Sequence, residues 1–164
     1  MTREQLIEEF KTEAASTRRM LERVPEDKYS WKPHDKSTTI GRLATHVAEL
    51  PRLIAIVLTT DELNFAASKF VPVTASSKDD LIRIFEDNYG KAVNALQNSK
   101  EEDYNSRWSL KSGDHTIFTL SKLASIRRMG INHILHHRGQ LSVYLRLLDV
   151  PVPGMYGPTA DEPF

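Results

Sequence analysis

Apolar residues recur along this chain with helical rather than strand spacing. Leu6, Phe10, Ala14 and Leu21 fall near one stripe among Glu, Lys and Arg, which predicts a first helix over about residues 2–23. Thr2 and Gln5 have the spacing of a capping box, and Pro25 ends the helix. The stretch VPEDKYSWKPHDKS reads as an irregular loop with Trp31 tucked against the bundle. A second helix is expected from Ser37 or Thr38, either a fitting cap, to about Leu58, with a kink or break at Pro51. After the connector TTDELNFAASKFVPVTASS, Ser77 caps a third helix, with Asp79 and Asp80 in its first turn. Leu81, Ile84, Phe85, Tyr89, Ala92 and Leu96 carry its stripe to about Asn98. Residues 99–117 are polar, and Trp108, Leu110, Ile117 and Phe118 around Ser112-Gly113-Asp114 suggest a short hairpin. A fourth helix runs from about Leu120 to Leu148, ended by Asp149 and Pro151. The tail VPVPGMYGPTADEPF, with four prolines and two glycines, reads as extended and held on the body through Met155 and Tyr156. Together these elements predict a single all-α four-helix-bundle domain over residues 1–164, with long connecting loops and an extended C-terminal tail.

The fourth helix contains NHILHHRGQL, residues 132–141, which holds three of the chain's six histidines. Side chains turn by about 100° per residue; with His133 at zero, His137 lies at about 40° and His136 at about 300°. Ile126, Tyr144, Leu148 and Leu141 share the His133–His137 arc, with Val143 and Leu147 on its other flank, whereas Arg127, Arg128, Arg138 and Arg146 fall together elsewhere and read as a solvated face. On the second helix, His46 is flanked by Leu43, Leu50, Leu53, Ile54 and Val57, the centre of an apolar stripe. Three imidazoles thus face inward from two helices. Burying them without partners costs on the order of a few kcal/mol, and one divalent ion satisfies all three. Histidines at i and i+4 stand about 5–6 Å apart, close enough to share an ion. His46, His133 and His137 are therefore the candidate metal ligands. Three imidazoles leave coordination positions open, the pattern of a reactive site. Zinc, nickel, iron and copper all accept imidazole, so the pattern alone leaves the metal open.

His136 lies at the edge of the arc, and His34 and His115 read as surface loop residues. Three further side chains are candidates for catalysis. Glu49 is placed to orient a ligand or a water, although a solvated helix carboxylate is the plainer reading. Tyr144 shares the histidine stripe, and Arg138 beside the pair suits an anionic substrate.

Composition narrows the chemistry. Lys plus Arg equals Asp plus Glu, 22 each, which argues against a nucleic-acid binder. There is no cysteine, so a disulfide scaffold, a thiolate metal site and a cysteine nucleophile are excluded. The start MTREQLIEEF has no apolar signal core, and the longest aliphatic run, LIAIVL at residues 53–58, is too short to span a bilayer. A cytoplasmic protein with no membrane partner is the expectation.

The stretch HILHHRGQLSVYLRLLDVPVPGMYGPTADE closely resembles the C-terminal signature of the DinB family, damage-inducible four-helix proteins related to the YfiT-like metalloenzymes. The earlier WKPHDKSTTIGRLATHVAEL, ending in a helix with one histidine, is similar to the family's other motif. The resemblance implies a bundle with a three-histidine divalent-metal site, the ligands being His46, His133 and His137 and the ion zinc or nickel first, with iron, manganese or copper as alternatives. It also implies a homodimer, and a place near S-transferases and isomerases that use bacillithiol, mycothiol or glutathione. Two functions are expected. One is a divalent-metal-dependent enzyme acting on a small molecule, either a hydrolase or a transferase using a low-molecular-weight thiol. The alternative is a non-catalytic, metal-stabilised dimeric binding or stress-response protein.

Overall fold

The computed structural model describes residues 1–68 and 71–163, so Lys69 and Phe70 of the connector and Phe164 of the tail lie outside the described residues. Helix α1 spans Arg3–Glu22. Thr2 Oγ1 accepts the Gln5 N–H at 3.2 Å and the Gln5 side chain accepts the Thr2 N–H at 2.9 Å, the reciprocal cap expected from the spacing. Its buried face is Leu6, Phe10, Ala14, Thr17, Met20 and Leu21, three or four residues apart.

The second expected helix divides at Pro51 into α2 (Ile40–Glu49) and α3 (Arg52–Thr59). Leu50 N–H still reaches His46 O, but proline has no N–H to continue the ladder. The next bonds tighten to three-residue spacing, Leu53 N–H to Leu50 O and Ile54 N–H to Pro51 O. Thr39, one or two positions later than expected, is the cap, accepting the Arg42 N–H at 3.3 Å. Helix α4 spans Lys78–Gln97 beneath the Ser77 cap and packs on α1, α2 and α3.

The hairpin expected around Gly113 grows into a mixed sheet. Among the described residues three strands pair: β1 (Glu62–Asn64), β2 (Arg107–Ser112) and β3 (His115–Ser121). β2 and β3 are antiparallel about a turn in which Gly113 takes a positive φ of 61°, and β1 runs parallel to β2. Trp108 is buried at the junction with the helices and donates its indole N–H to Thr60 Oγ1 at 3.2 Å. The fold is thus mainly helical with a small sheet at one end.

The fourth expected helix starts at Lys122, because Leu120 belongs to β3. It is three pieces in line: α5 (Lys122–Ser125), a wide π-helical turn (Ile126–Ile131) and α6 (Asn132–Leu147). The wide turn presses on α3. A Cβ added at Gly130 would stand 2.5 Å from Ile54 Cγ1, and Ile54 is fully buried. Gly130→Ala is therefore expected to destabilise the protein by about 1–3 kcal/mol, the usual cost of overpacking. A urea midpoint unchanged from wild type would show that Ile54 yields freely. Asp149, in left-handed conformation at φ 56°, ends α6.

The tail lies on the body, as expected. Asp161 accepts the Val152 N–H and Glu162 accepts the Gly154 N–H, while Thr159 bonds back to Val152 O. Glu162 pairs with Arg19 of α1 and with Arg23 just beyond it, and Asp161 with Arg146 of α6. Ionic contacts thus clasp the two helices at their shared end.

The arginine face is only in part the expected solvated surface. Arg128, 4.4 Å over the Phe118 ring, and Arg146 are exposed. Arg127 makes a two-pronged pair with Glu9 at 2.8 Å, and Arg138 is only 3% exposed. Those two cations are where the last helix docks on α1. No helix among the described residues is long and apolar enough to cross a membrane.

Candidate metal centre

His46 sits on α2 one turn before the Pro51 break, and His133 and His137 occupy successive turns of α6, which packs on α2. Ring centroids lie 5.3 Å apart for His46 and His133, and 4.7 Å apart both for His46 and His137 and for His133 and His137. One donor nitrogen from each falls within 4.8 Å of the others, a set able to chelate a divalent cation. Nitrogens sharing an ion at the usual zinc distance stand about 3.3 Å apart, so the cluster needs little closure.

The rings are half-buried rather than central to the core. The buried stripe of α6 is Ile134, Arg138, Leu141 and Leu145, and the histidines lie on its flank. Val143 and Leu147, counted with the apolar arc in sequence, are 57% exposed. His46 and His133 stand in the wall of a cavity of about 350 Å³, with Leu53, Leu63 and Met129 among its apolar wall residues. A wider hollow of about 820 Å³ near Tyr29 contains none of the three histidines.

Electrostatics keep the imidazoles neutral. Burial, then the neighbouring His137, His133, Arg42 and Arg52, pushes the His46 pKa down to about 4. His133 and His137 are also lowered, chiefly by burial. A neutral ring near pH 7 offers a lone pair, the form that binds metal. Hydrogen bonding decides which nitrogen carries it. Gln140 Oε1 lies 2.7 Å from His137 Nδ1 and can only accept, so the proton is on Nδ1 and the lone pair on Nε2. That Nε2 faces His133 Nε2 at 2.9 Å. His133 is also bonded to the Met129 backbone, so the two Nε2 lone pairs converge on the point where a cation would sit.

The depressed pKa values set a pH dependence. Below the ordinary histidine pKa of about 6.5 the unfolded chain takes up protons that folded His46 refuses until about 4. Metal-free protein is thus expected to lose stability as pH falls from about 6.5 to 4, with no contribution from this residue above that range. Melting temperatures of metal-free wild type and His46→Ala across pH 4–7.5 check this. The variant should show the shallower decline, and parallel curves would refute the assignment.

Glu49 is 5% exposed, not solvated; its carboxylate accepts from Arg42 Nη2 at 2.9 Å and lies 4.0 Å from His46 Nδ1. Tyr144 does not reach the cluster. Its ring meets Trp31 edge-on at 5.8 Å, and its hydroxyl donates a long bond to Thr38 O, which fastens the loop before α2. Arg138 points to α1 and the tail instead of the cavity, donating to Glu13 and Tyr156. His136 lies outside the cluster but reaches it indirectly, since Gln140 Nε2 is 3.2 Å from His136 Nε2. His34 is exposed and accepts the Lys36 N–H, and His115 is exposed at the start of β3. Gln140 is the residue that sequence reasoning missed. Its signal was available: it stands three positions after His137 and four after His136 on one helix.

Known proteins share this architecture. The chain is 26% identical to the uncharacterized protein YrdA of Bacillus subtilis (strain 168) over 162 residues, 98% of this chain and 92% of YrdA. It is 26% identical to the uncharacterized YjoA of the same organism over 142 residues, 87% of this chain and 88% of YjoA. The crystal structure of a DinB-like protein from Bacillus cereus ATCC 10987 superposes with a TM-score of 0.74 at 23% identity, covering 93% of this chain and 97% of that one. That of YjoA, also DinB-like, superposes at 0.69 and 21% identity, covering 98% and 96%. The profile of the DinB family itself matches residues 1–163, which include both helices that carry the histidines, so the chain belongs to the DinB family.

Proposed function

We propose that this protein is a divalent-metal-dependent enzyme acting on a small molecule. The observation that carries the reading is the three-histidine cluster, two of whose rings, His46 and His133, stand in the wall of a largely apolar cavity. His46, His133 and His137 would hold the ion, zinc or nickel ahead of iron, manganese or copper. Bound there, the ion would supply Lewis acidity, lowering the pKa of water or of a thiol.

The chain's own groups do the rest. Gln140 fixes the tautomer of His137. Glu49, held by Arg42 beside His46, is placed to orient that ring or take a proton. Leu53, Leu63 and Met129 exclude bulk water from one side. Attack by water makes the protein a hydrolase. Attack by a thiol makes it an S-transferase, and with no cysteine in the chain the thiol must arrive as a low-molecular-weight cosubstrate. A cytoplasmic homodimer belongs to the same proposal.

Elemental analysis of tag-free protein is expected to give one ion per chain in wild type and none in His46→Ala; equal content in both would remove the site. Thiols with electrophiles, set against ester and amide panels, separate the two chemistries. The alternative, a metal-stabilised binding or stress-response protein, predicts that chelation lowers the melting temperature and stops no reaction. A turnover that stops on chelation and resumes with metal decides for the enzyme.

A further inference from the structure

The cavity beside the histidines offers a ligand mostly apolar surface. Of its polar wall residues, His46 and His133 belong to the metal cluster and Glu49 is held by Arg42. Arg52 and Ser68 each have an interaction partner within the protein. The apolar wall comes from three separate elements. Leu53 belongs to α3, Met129 to the wide π-helical turn, and Leu63 to β1, with Phe65 directly after that strand. Leu53 and Met129 are almost wholly buried, whereas Phe65 is 52% exposed.

The β1 side of the cavity is fixed by its own bonds. Alternate residues of an extended segment share a face, and Leu63 and Phe65 both line the cavity. Asn64, between them, is tied instead to the β2–β3 turn, accepting the Gly113 N–H at 2.9 Å and donating to Gly113 O at 3.0 Å. The Phe65 N–H donates to Lys111 O at 2.9 Å, which continues the pairing of β1 with β2. The Phe65 backbone is thus pinned while its ring stays half exposed, and an apolar ligand lying against that ring removes its surface from water.

We propose that the substrate of the histidine site is a small uncharged molecule with a compact apolar body, one or two rings in size, and that Leu63 and Phe65 select it. The assignment deepens the metalloenzyme reading and rests on it for the reacting centre. At about 350 Å³ the cavity lies near the lower end of small-molecule sites, which run from about 300 to 1,000 Å³. A charged head group would give up water against walls whose polar groups are already engaged, a cost that an uncharged body avoids. The Phe65 ring and the Met129 thioether also suit an aromatic body.

Calorimetric titration with 2-naphthylmethanol, benzyl alcohol, triethylene glycol and 2-naphthoate tests the inference, on zinc-loaded and chelator-treated protein. In both states 2-naphthylmethanol is expected to bind about 10-fold tighter than benzyl alcohol, because its second ring buries more apolar area, and triethylene glycol should not bind measurably. In chelator-treated protein, where no ion attracts a carboxylate, 2-naphthylmethanol should also bind tighter than 2-naphthoate. Phe65→Ala and Leu63→Ala should each weaken 2-naphthylmethanol by about 5-fold or more, and Phe65→Leu should keep part of the affinity. Val143→Ala, at a similarly exposed apolar position on α6, should change nothing. Circular dichroism confirms that each variant is folded, and Phe65→Ala, at an exposed position, carries the test alone if Leu63→Ala unfolds. No measurable binding of 2-naphthylmethanol, tighter metal-free binding of 2-naphthoate, unaltered affinity in Phe65→Ala, or an equal loss in Val143→Ala overturns the inference. Protein that holds one zinc and gives any of those results loses the substrate assignment and keeps the metal site. Protein that takes up no zinc yet binds 2-naphthylmethanol through Phe65 upholds the cavity assignment and refutes the metalloenzyme reading instead.

Discussion

Arg138→Ala is expected to be the most destabilising single change discussed for this protein, lowering unfolding stability by about 3–5 kcal/mol. Arg138 is nearly inaccessible and donates to four acceptors: Glu13 O at 3.0 Å, Thr17 Oγ1 at 3.2 Å, and Glu13 Oε2 and Tyr156 Oη at 2.8 Å each. The Tyr156 hydroxyl itself donates to Glu13 Oε2. Truncation removes the one cation from this group and leaves the Glu13 carboxylate, 13% exposed at its side chain, without its counter-charge. Breaking a buried pair costs far more than breaking an exposed one, for which about 1 kcal/mol is the ceiling. At about 2–4 °C per kcal/mol for a chain of this size, the melting temperature should fall by about 6–20 °C. Removing both charges, as in Glu13→Met with Arg138→Met, should recover much of the loss. A fall smaller than that of an exposed pair would show that solvent reaches Glu13 freely.

The second large effect is on metal affinity, and it is graded. Structural zinc sites with four ligands bind with about 10–16 kcal/mol, or roughly 3 kcal/mol per ligand, so losing one ligand weakens binding by a factor above about 100. His137→Ala is expected to show that loss. Gln140→Leu leaves the imidazole but frees its Nδ1 proton, and should weaken binding by about 10–100-fold. Competition against a chromophoric chelator reads both values. If Gln140→Leu matched wild type, the Gln140–His137 bond would have no part in preparing the ligand.

Local pattern made much of this molecule legible. The Thr2–Gln5 cap, the Ser77 cap and the Pro51 break all depend on residues within a few positions of one another, and each stands where expected. The triad was legible because i and i+4 fixes two rings and an apolar stripe fixes the third. Distant partners hid the rest. β1 pairs with a strand that brings Glu62 opposite Ser109, which nothing in ELN announces. Arg138 looked solvated because its burial depends on Glu13, far away in sequence, and on a tail that doubles back. Val143 and Leu147 looked buried for the complementary reason: apolar type alone does not say which flank a neighbour covers.

The π-helical turn at Ile126–Ile131 amounts to one residue more than an ordinary helix would use to cover the same span. Excising that surplus residue would let the segment relax into regular helix with everything after it still in phase, His133 and His137 toward His46 and Arg138 toward Glu13. A residue gained in regular helix just ahead of His133 would instead turn the ion-binding rings and the interhelical anchor together by about 100°. The two share one rigid stretch, so neither can drift without the other.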